Sequence, residues 1–177
     1  MVKKMAKFFA YTLFFAFALV AFSPKSSVYY FGEQELKKFG VVISNESLQE
    51  STLSLNIKNL YITLKEIDSA VIKEVDITLL FVYNSIHLEE IELSSLVESY
   101  LPSKVDSLDI HYTIFNPLHI TAEALGQFGE ATINVSIADR NATLSLKPSK
   151  KMFASYKKTL KMMKKYENGE YVYAKTF

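Results

Sequence analysis

Apolar and polar residues alternate along most of the chain after residue 50, which predicts antiparallel strands with one buried face. Two apolar sets of opposite parity flank residues 58–59, namely Leu53, Leu55 and Ile57 before them and Leu60, Ile62 and Leu64 after them. A bulge or turn near Lys58 and Asn59 is therefore expected to redirect the chain. A longer strand follows, with one face formed by Val71, Val75, Ile77, Leu79, Phe81 and Tyr83.

Residues 107–147 predict four consecutive strands, because the parity of their apolar positions agrees with the lengths of three loops. The apolar positions are even-numbered on both sides of loop 115–117. They change from even to odd across loop 126–129 and back to even across loop 139–140. The resulting register pairs Ala124 with Ala131, Ala122 with Ile133, Ile120 with Val135, and Val135 with Leu144. We therefore expect a four-stranded antiparallel meander.

Two helices are predicted around this meander. Ser95 and Glu98 form a capping box that begins a short helix, which Pro102 ends. After Pro148 the apolar period becomes helical and predicts a basic amphipathic helix over 149–166. Its apolar side carries Met152, Phe153, Tyr156, Leu160 and Met163, and its lysines are Lys150, Lys151, Lys157, Lys158, Lys161, Lys164 and Lys165. This helix either covers the open face of the sheet, which we favour, or lies on an anionic membrane surface.

The first 25 residues have a different pattern, in which three lysines precede an uncharged run over 8–22. Lys3, Lys4 and Lys7 are expected to keep the amino terminus in the cytoplasm, because lysines resist translocation. The apolar residues expected to enter the bilayer include Phe8, Phe14, Phe15, Leu19 and Phe22. The segment is thus predicted to place everything from about residue 28 outside the cytoplasm.

Three interpretations of this segment remain open: an uncleaved single-span anchor, a cleaved signal peptide and a buried core helix. Cleavage after Ser23 would place Pro24 directly behind the cut, and cleavage after Ala18 would fall inside the apolar run. We therefore favour the anchor. It gives a membrane segment over 1–27 and one periplasmic β-rich domain over 28–177, which includes the basic helix. The expected location is the bacterial inner membrane with a single pass, or the periplasm if the segment is cleaved.

Together these patterns predict a mainly β protein with α. An N-terminal membrane-spanning helix is followed by one antiparallel β-meander domain with a short helix and a C-terminal amphipathic helix. The net charge of +1 hides a segregation of charge. Residues 26–146 carry seven basic and seventeen acidic groups, whereas residues 147–166 carry eight lysines and no acid. The basic segment is either a partner-binding surface or a solvated helix face.

The chain has few candidates for chemistry. It has no cysteine, which excludes disulfides, lipoprotein modification and thiol nucleophiles. His111, His119 and Glu123 share the polar face of one predicted hairpin, but the lack of a fourth ligand favours an ordinary surface over a metal site. The glutamates within 89–92 have no adjacent base and are interpreted as a solvated rim. We therefore predict no catalytic residue, no metal and no cofactor, and no enzyme activity.

Asn141 begins the most specific of three Asn-x-Ser/Thr triplets. Asp139 precedes it by two residues, and the triplet falls at a predicted hairpin tip. This arrangement resembles the extended acceptor of bacterial periplasmic oligosaccharyltransferases, and an ordinary polar turn is the competing interpretation. Asn141 is thus a candidate glycosylation site.

The segment 126–149 combines a glycine-bounded loop, a strand over 131–137, a polar turn and the sequence Leu144-Ser145-Leu146-Lys147-Pro148-Ser149. It resembles repeats of the periplasmic N component of type II secretion and of AsmA-like proteins, and residues 59–64 are similar to their strands. The resemblance implies a strand-rich periplasmic protein anchored in the inner membrane. Some such proteins are structural and others are linked to lipid transport, and the resemblance implies no catalytic residues.

Two functions follow as hypotheses. The first, which the sequence favours, is a non-enzymatic scaffold that docks onto a larger envelope assembly, of the secretion-system or flagellar-motor type, by edge-strand pairing. The second is a lipid-binding or lipid-transfer component of an envelope export bridge, with an apolar sheet face open to acyl chains. Expected partners are the membrane, other envelope proteins or a second copy, and a lipid in the second case. Nucleic acid is not expected, because nineteen of the twenty basic residues are lysine.

Overall fold

The computed structural model describes residues 2–80 and 82–177. It has an apolar N-terminal helix and a single open antiparallel sheet. The helices are α1 (Val2–Phe22), α2 (Lys25–Lys38), α3 (Lys150–Ser155) and α4 (Lys157–Lys161). The strands are β1 (Val41–Ser44), β2 (Ser47–Glu50), β3 (Ser54–Leu64), β4 (Ile67–Leu79), β5 (Tyr83–Leu93), β6 (Lys104–Thr113), β7 (His119–Gly126), β8 (Gly129–Ser136), β9 (Asn141–Pro148), β10 (Lys164–Lys165) and β11 (Tyr171–Thr176).

The strands lie in the sheet almost in chain order. From β3 to β9 each strand pairs with the next one, as expected where short turns connect antiparallel neighbours. At one edge β1 and β2 both pair with β3. At the other edge β11 pairs with β9, and the two-residue β10 pairs with β11. The sheet is therefore one continuous surface built mainly from local connections.

One face of the sheet is apolar across eight strands. The register aligns one residue of each strand in a row that we call the central row: Ile57, Val75, Leu88, Leu108, Ala124, Ala131, Leu146 and Tyr171. The next row contains Leu55, Ile77, Ile86, Ile110, Ala122, Ile133, Leu144 and Tyr173. Most of these side chains belong to the hydrophobic core or pack against it. Burial of this face is the main driving force for forming the sheet.

The predicted change of direction near residue 59 is confirmed. Ile57 and Leu60 are both buried in the core although they are three positions apart, because Asn59 between them has a φ of 59°. Glu90 in β5 has a φ of 50°, and the pairing of β6 with β7 shifts between residues 105 and 107. The strand register aligns these irregularities with one another across the sheet, in β3, β5 and β6. Each irregularity shifts the in–out alternation of its strand, so apolar side chains before and after it face the same core.

The predicted four-stranded meander is present as β6 to β9. The pairs Ala124 with Ala131, Ala122 with Ile133 and Ile120 with Val135 are confirmed. The last hairpin differs from the prediction, since Val135 lies opposite Ala142 and not opposite Leu144. Its turn has four residues, 137–140, because the Ser136 hydroxyl donates to the Asp139 carboxylate at 2.7 Å and stabilises a longer turn.

The predicted long strand over 71–83 is wrong. β4 ends at Leu79 and β5 begins at Tyr83, so the chain reverses within the expected strand. The Leu80 N–H donates to the Tyr83 carbonyl oxygen at 3.1 Å, which holds this turn. Phe81, which was assigned to the same face, lies outside the described residues.

The short helix predicted after Ser95 is also wrong, because residues 95–100 form successive turns. The Tyr100 N–H donates to the Val97 carbonyl oxygen at 2.9 Å, three residues back, as in a turn. The ends of this segment are joined by a bond from the Leu93 N–H to the Ser103 carbonyl oxygen at 2.8 Å. The connection between β5 and β6 is therefore a loop of successive turns whose ends are joined.

The basic helix predicted over 149–166 is divided into α3 and α4, which separate at Tyr156. The Ser149 side-chain oxygen accepts a hydrogen bond from the Met152 N–H at 3.1 Å and so caps α3. Lys164 and Lys165 leave the helix and pair with β11. One long amphipathic helix does not form, because strand pairing competes for the end of the segment.

Residues 25–38 form a helix that the alternation does not predict. α2 packs beside β1, β2 and β3, and its Tyr29 contacts the hydrophobic core. Only Ser23 and Pro24 separate it from α1. α2 therefore joins the apolar helix to one edge of the sheet.

Candidate functional site

A cavity of about 440 Å³ lies between the sheet and the segments that cover one end of its apolar face. We call it the apolar cavity. Its floor comes from strands β3 to β9, and its cover comes from α3, α4 and the loop around residue 101. Apart from Thr159, every lining side chain is apolar: Ile62, Ile72, Leu88, Ile91, Leu93, Leu101, Val105, Leu108, Ala124, Phe128, Ala131, Ile133, Leu144, Leu146, Met152 and Met163. Such a site can hold an apolar group by the hydrophobic effect alone.

Two alanines provide space in the floor. Ala124 and Ala131 are direct partners across β7 and β8. On either side of them in the central row lie Leu108 and Leu146, which are larger. Protein interiors are otherwise closely packed, so a pair of small side chains beneath a rigid cover leaves room for a further group.

The cover is held by buried side chains and by a hydrogen bond. Met152 of α3 is 2% exposed and Leu160 of α4 is 5% exposed. The Thr159 hydroxyl donates to the Tyr100 carbonyl oxygen at 2.5 Å, which connects α4 to the loop between β5 and β6. The cover is therefore a packed part of the domain.

The turn 126–129 forms one end of the cavity through the buried side chain of Phe128. Its last residue, Gly129, has a φ of 117°, and a Cβ there would lie 2.1 Å from a backbone carbonyl oxygen of β9. Glycine is thus required at this close approach of two strands. The Ser149 hydroxyl donates to the Gln127 carbonyl oxygen at 2.6 Å and connects the turn to the start of α3.

The apolar face continues beyond the cover. Tyr112, Ile120, Val135 and Ala142 form the next row past Ile133 and Leu144, and all four are partly exposed. The apolar cavity therefore adjoins an apolar surface that solvent reaches. A ligand longer than the cavity has a continuous apolar path along the sheet.

A second pocket, of about 420 Å³, borders α4, and we call it the lysine pocket. Its apolar lining is Phe153, Leu160, Met163 and Tyr171, and its charged lining is Lys157, Lys161 and Lys165. Met163 also lines the apolar cavity, so the two sites adjoin at this side chain. The remaining lysines of the predicted basic helix, Lys150, Lys151, Lys158 and Lys164, are exposed outside the pocket.

The histidines lie on the polar face as separate contacts. His111 Nδ1 is 2.8 Å from the Tyr83 hydroxyl, and His119 is exposed. Within residues 2–80 and 82–177 no three His, Asp or Glu side chains are arranged to hold a metal ion. His111, His119 and Glu123 lie on the same face of the sheet, as predicted, but they are not grouped as metal ligands.

Each glutamate of the cluster within 89–92 has its own basic partner. The pairs are Glu89 with His87 Nε2 at 3.0 Å, Glu90 with Lys73 Nζ at 2.5 Å, and Glu92 with Lys104 Nζ at 3.4 Å. His87 Nδ1 also lies 2.6 Å from Asp109 Oδ1. The hydrogen bonds to Glu89 and Asp109 raise the pKa of His87. These pairs place charges of opposite sign next to one another on the polar face.

α1 contains the predicted anchor. Most of its apolar side chains are exposed, including Phe8, Phe14, Phe15, Leu19 and Phe22, and so are Lys3, Lys4 and Lys7 near its start. In the described part of the chain one helical segment, Lys3–Phe22, is long and apolar enough to cross a membrane. A helix with apolar side chains exposed all round is unstable in water without an apolar partner. Membrane crossing and its direction stay predictions.

Asn141 is the first residue of β9 and directly follows the turn 137–140. Its partners in the neighbouring strands are Ser136 and Thr176. It thus lies at a hairpin end, as predicted, on the face opposite Ala142. Its glycosylation stays a prediction.

No protein-family model, curated protein or solved structure matches this chain. The resemblance of residues 126–149 to secretion and AsmA-like proteins stays a prediction. The apolar cavity, the lysine pocket and α1 are therefore the features that bear on function.

The sequence patterns did not indicate the apolar cavity. Alternation predicts most of its lining residues as strand positions, and the sequence leaves open whether the basic helix covers the apolar face or leaves it open to acyl chains. The available signal was the run of small residues Ala122, Ala124 and Ala131 at apolar positions of the meander. Small residues at the centre of an apolar row indicate either close packing or unfilled space, and only the position of the cover distinguishes these.

Proposed function

We propose that this protein is a membrane-anchored, non-enzymatic lipid-binding domain that holds an acyl chain in the apolar cavity. The observation that carries the proposal is the cavity itself, whose lining of seventeen residues includes only one polar side chain, Thr159. Its volume of about 440 Å³ falls within the roughly 300–1,000 Å³ typical of small-molecule sites. Sites lined mainly by apolar side chains take up apolar ligands.

The hydrophobic effect favours an occupant. The cavity is open toward the exposed end of the apolar face, so solvent reaches apolar side chains there. An acyl chain in the cavity would remove apolar surface from water, which is worth about 25 cal/mol for each Å² buried.

The neighbouring helix gives access to such ligands. α1 is proposed to cross the bacterial inner membrane with Lys3, Lys4 and Lys7 on the cytoplasmic side, which leaves the sheet domain in the periplasm. A domain tethered directly to a bilayer meets lipids at high effective concentration. The resemblance of residues 126–149 to envelope proteins linked to lipid transport is consistent with this role.

The test is native mass spectrometry of the full-length protein after gentle detergent extraction. Wild-type protein is expected to carry a lipid at near one-to-one stoichiometry. The double substitution Ala124→Leu and Ala131→Leu fills the floor of the cavity and should reduce lipid occupancy at least several-fold. Ala138→Leu adds volume in the exposed turn 137–140, away from the cavity and the apolar face, and should leave occupancy unchanged.

A second experiment uses wild-type protein alone, so its result does not depend on whether the double variant folds. A phospholipid with a photoreactive acyl chain should cross-link wild-type protein within β7, β8 or α3. Cross-links confined to α1 would show that lipid contacts only the anchor and would overturn the proposal. Lipid-free wild-type protein would overturn it as well.

A second candidate function is the scaffold role. β10 pairs only with Tyr171 and Val172, so within the described residues no strand pairs with the outer edge of β11 from Tyr173 to Thr176. An open edge can accept a strand from another protein. Lipid-free oligomers that dissociate in the variant Ala174→Lys, which places a charge on this edge, would favour the scaffold over the lipid-binding role.

A further inference from the structure

We propose that the lysine pocket recognises the anionic, phosphate-bearing headgroup of the lipid whose acyl chain occupies the apolar cavity. This inference rests on the proposed function and deepens it, since it names the class of lipid. The ligand expected is an anionic phospholipid rather than a zwitterionic one.

The three lysines of the pocket carry uncompensated charge. Lys157, Lys161 and Lys165 all line it, and within the described residues none of the three lies within 4.0 Å of a carboxylate. Lys73 and Lys104 on the polar face of the sheet, in contrast, are each paired with a glutamate. Three like charges around one concavity repel one another, and an anion bound among them relieves this repulsion.

The local structure directs the lysines toward a common site. Lys157 and Lys161 are four residues apart and so lie on the same side of α4. Lys165 reaches the pocket from β10, where its Nζ lies 5.9 Å from the centre of the Tyr171 ring. This cation–π contact holds the third charge above an apolar wall. The division of the basic segment into helix and strand is what brings Lys165 beside α4.

The apolar part of the pocket matches an amphiphile better than a free anion. Phe153 and Tyr171 pack edge to face, with ring centres 5.9 Å apart, and form one wall. Met163 lines both this pocket and the apolar cavity. Tyr171 pairs with Leu146, which also lines the cavity. A phosphate among the lysines would therefore lie next to an apolar path into the cavity.

Lysine also limits what the pocket can distinguish. Its ammonium is a compact point charge without the planar fork with which arginine binds phosphate in a bidentate manner. We therefore expect selection by charge, with little discrimination among headgroups of equal charge.

The experiment compares two lipids with identical acyl chains, phosphatidylglycerol and phosphatidylcholine, offered in equal amounts to full-length protein in detergent. Native mass spectrometry measures the ratio of the two bound forms. Wild-type protein should prefer phosphatidylglycerol by at least about tenfold, since each lysine near an anionic headgroup contributes to binding. The preference should fall as salt is raised.

Two matched triple variants locate the effect. Lys157→Gln, Lys161→Gln and Lys165→Gln together should reduce the preference to about one while lipid still binds. Lys150→Gln, Lys158→Gln and Lys164→Gln remove the same charge from the same segment outside the pocket, and should keep most of the preference. Equal losses in the two variants would mean diffuse attraction to the basic segment and would overturn the inference.

The outcomes separate this inference from the proposed function. Wild-type protein that binds both lipids equally would overturn the headgroup site and leave the lipid-binding role intact. Wild-type protein that binds neither lipid would overturn both. Binding of inorganic phosphate and of soluble glycerophosphoglycerol is measured as well. Tight binding of either compound, which has no lipid chain, would identify a free-anion site and contradict the inference.

Discussion

The Glu50 carboxylate accepts a hydrogen bond from the backbone N–H of Lys25 at 2.9 Å, and this bond joins β2 to the first residue of α2. The Lys25 side chain is buried, and its Nζ donates to the carbonyl oxygens of Val20 at 3.2 Å and Ser23 at 3.1 Å. Lys25 thus binds the end of α1 with its ammonium and the sheet with its backbone. The apolar helix and the sheet domain are connected by a bonded junction and not by a free linker.

Substitution of Glu50 by Gln should loosen this junction. A negative charge at a helix N-terminus is stabilising, and the amide removes it. Hydrogen exchange of the amides at 25–28 should become faster in full-length Glu50→Gln, whereas Glu35→Gln within α2 should not change it. Unchanged exchange in Glu50→Gln would mean that the helix start is held by other contacts.

The same junction should respond to acid. The hydrogen bonds from the Ser26 hydroxyl and from the Lys25 and Ser26 amides lower the pKa of Glu50 below 4.5. Its stabilising effect is therefore present above the unfolded pKa and is lost as pH falls through the lower folded pKa. The protection of the amides at 25–28, which is the ratio of the intrinsic to the observed exchange rate, should fall as pH decreases from about 4.5 through the folded pKa in wild-type protein. Glu50→Gln should show no such step.

His87 should give the opposite pH dependence. Its pKa is raised above 6.5 by hydrogen bonds to Glu89 and Asp109. The stabilisation is therefore complete below about pH 6.5 and is lost as pH rises through the folded pKa. Because the site is partly exposed, its contribution is less than about 1 kcal/mol. Thermal unfolding at pH 6 and pH 8.5 should show a larger loss in wild-type protein than in His87→Gln, and equal losses would refute this assignment.

Substitution of Gly129 by Ala should destabilise the domain by at least about 2 kcal/mol, because it combines a strained φ with a backbone clash. Gly169 provides the control, since it also has a positive φ but nothing lies within 4 Å of an added Cβ. Gly169→Ala should cost about 1 kcal/mol, the strain alone. Chemical denaturation of both variants measures the difference. Similar values would mean that β8 and β9 separate at little cost.

The two apolar residues of the cover should differ in importance. Leu160 is 5% exposed, so Leu160→Ala should reduce the free energy of unfolding by about 2–4 kcal/mol. Phe153 is 44% exposed, and Phe153→Ala should cost about 1 kcal/mol, chiefly the contact with Tyr171. Denaturant unfolding checks both values. A larger loss for Phe153 would indicate that the cover packs through its other side.

Much of the sheet could be predicted from local pattern. The pairing of Ala124 with Ala131 followed from alternation and loop length, because a one-residue slip would turn every apolar side chain to the wrong face. The prediction for Val135 was wrong by two residues, a shift that preserves the face. Parity cannot detect such an error, and the hydrogen bond between Ser136 and Asp139 decided it.

The sequence by itself determined the apolar helix at the N-terminus, the alternating strands and the separation of basic from acidic segments, because each depends only on neighbouring residues. The tertiary structure decided the end of the basic helix at residues 164–165, where β11 competes for the same backbone groups. It also decided the two sites. The apolar cavity is the space between Ala124 and Ala131 in the floor and Met152 and Met163 in the cover. Its volume depends on how segments that are distant in the chain pack together, so neither segment's sequence predicts it.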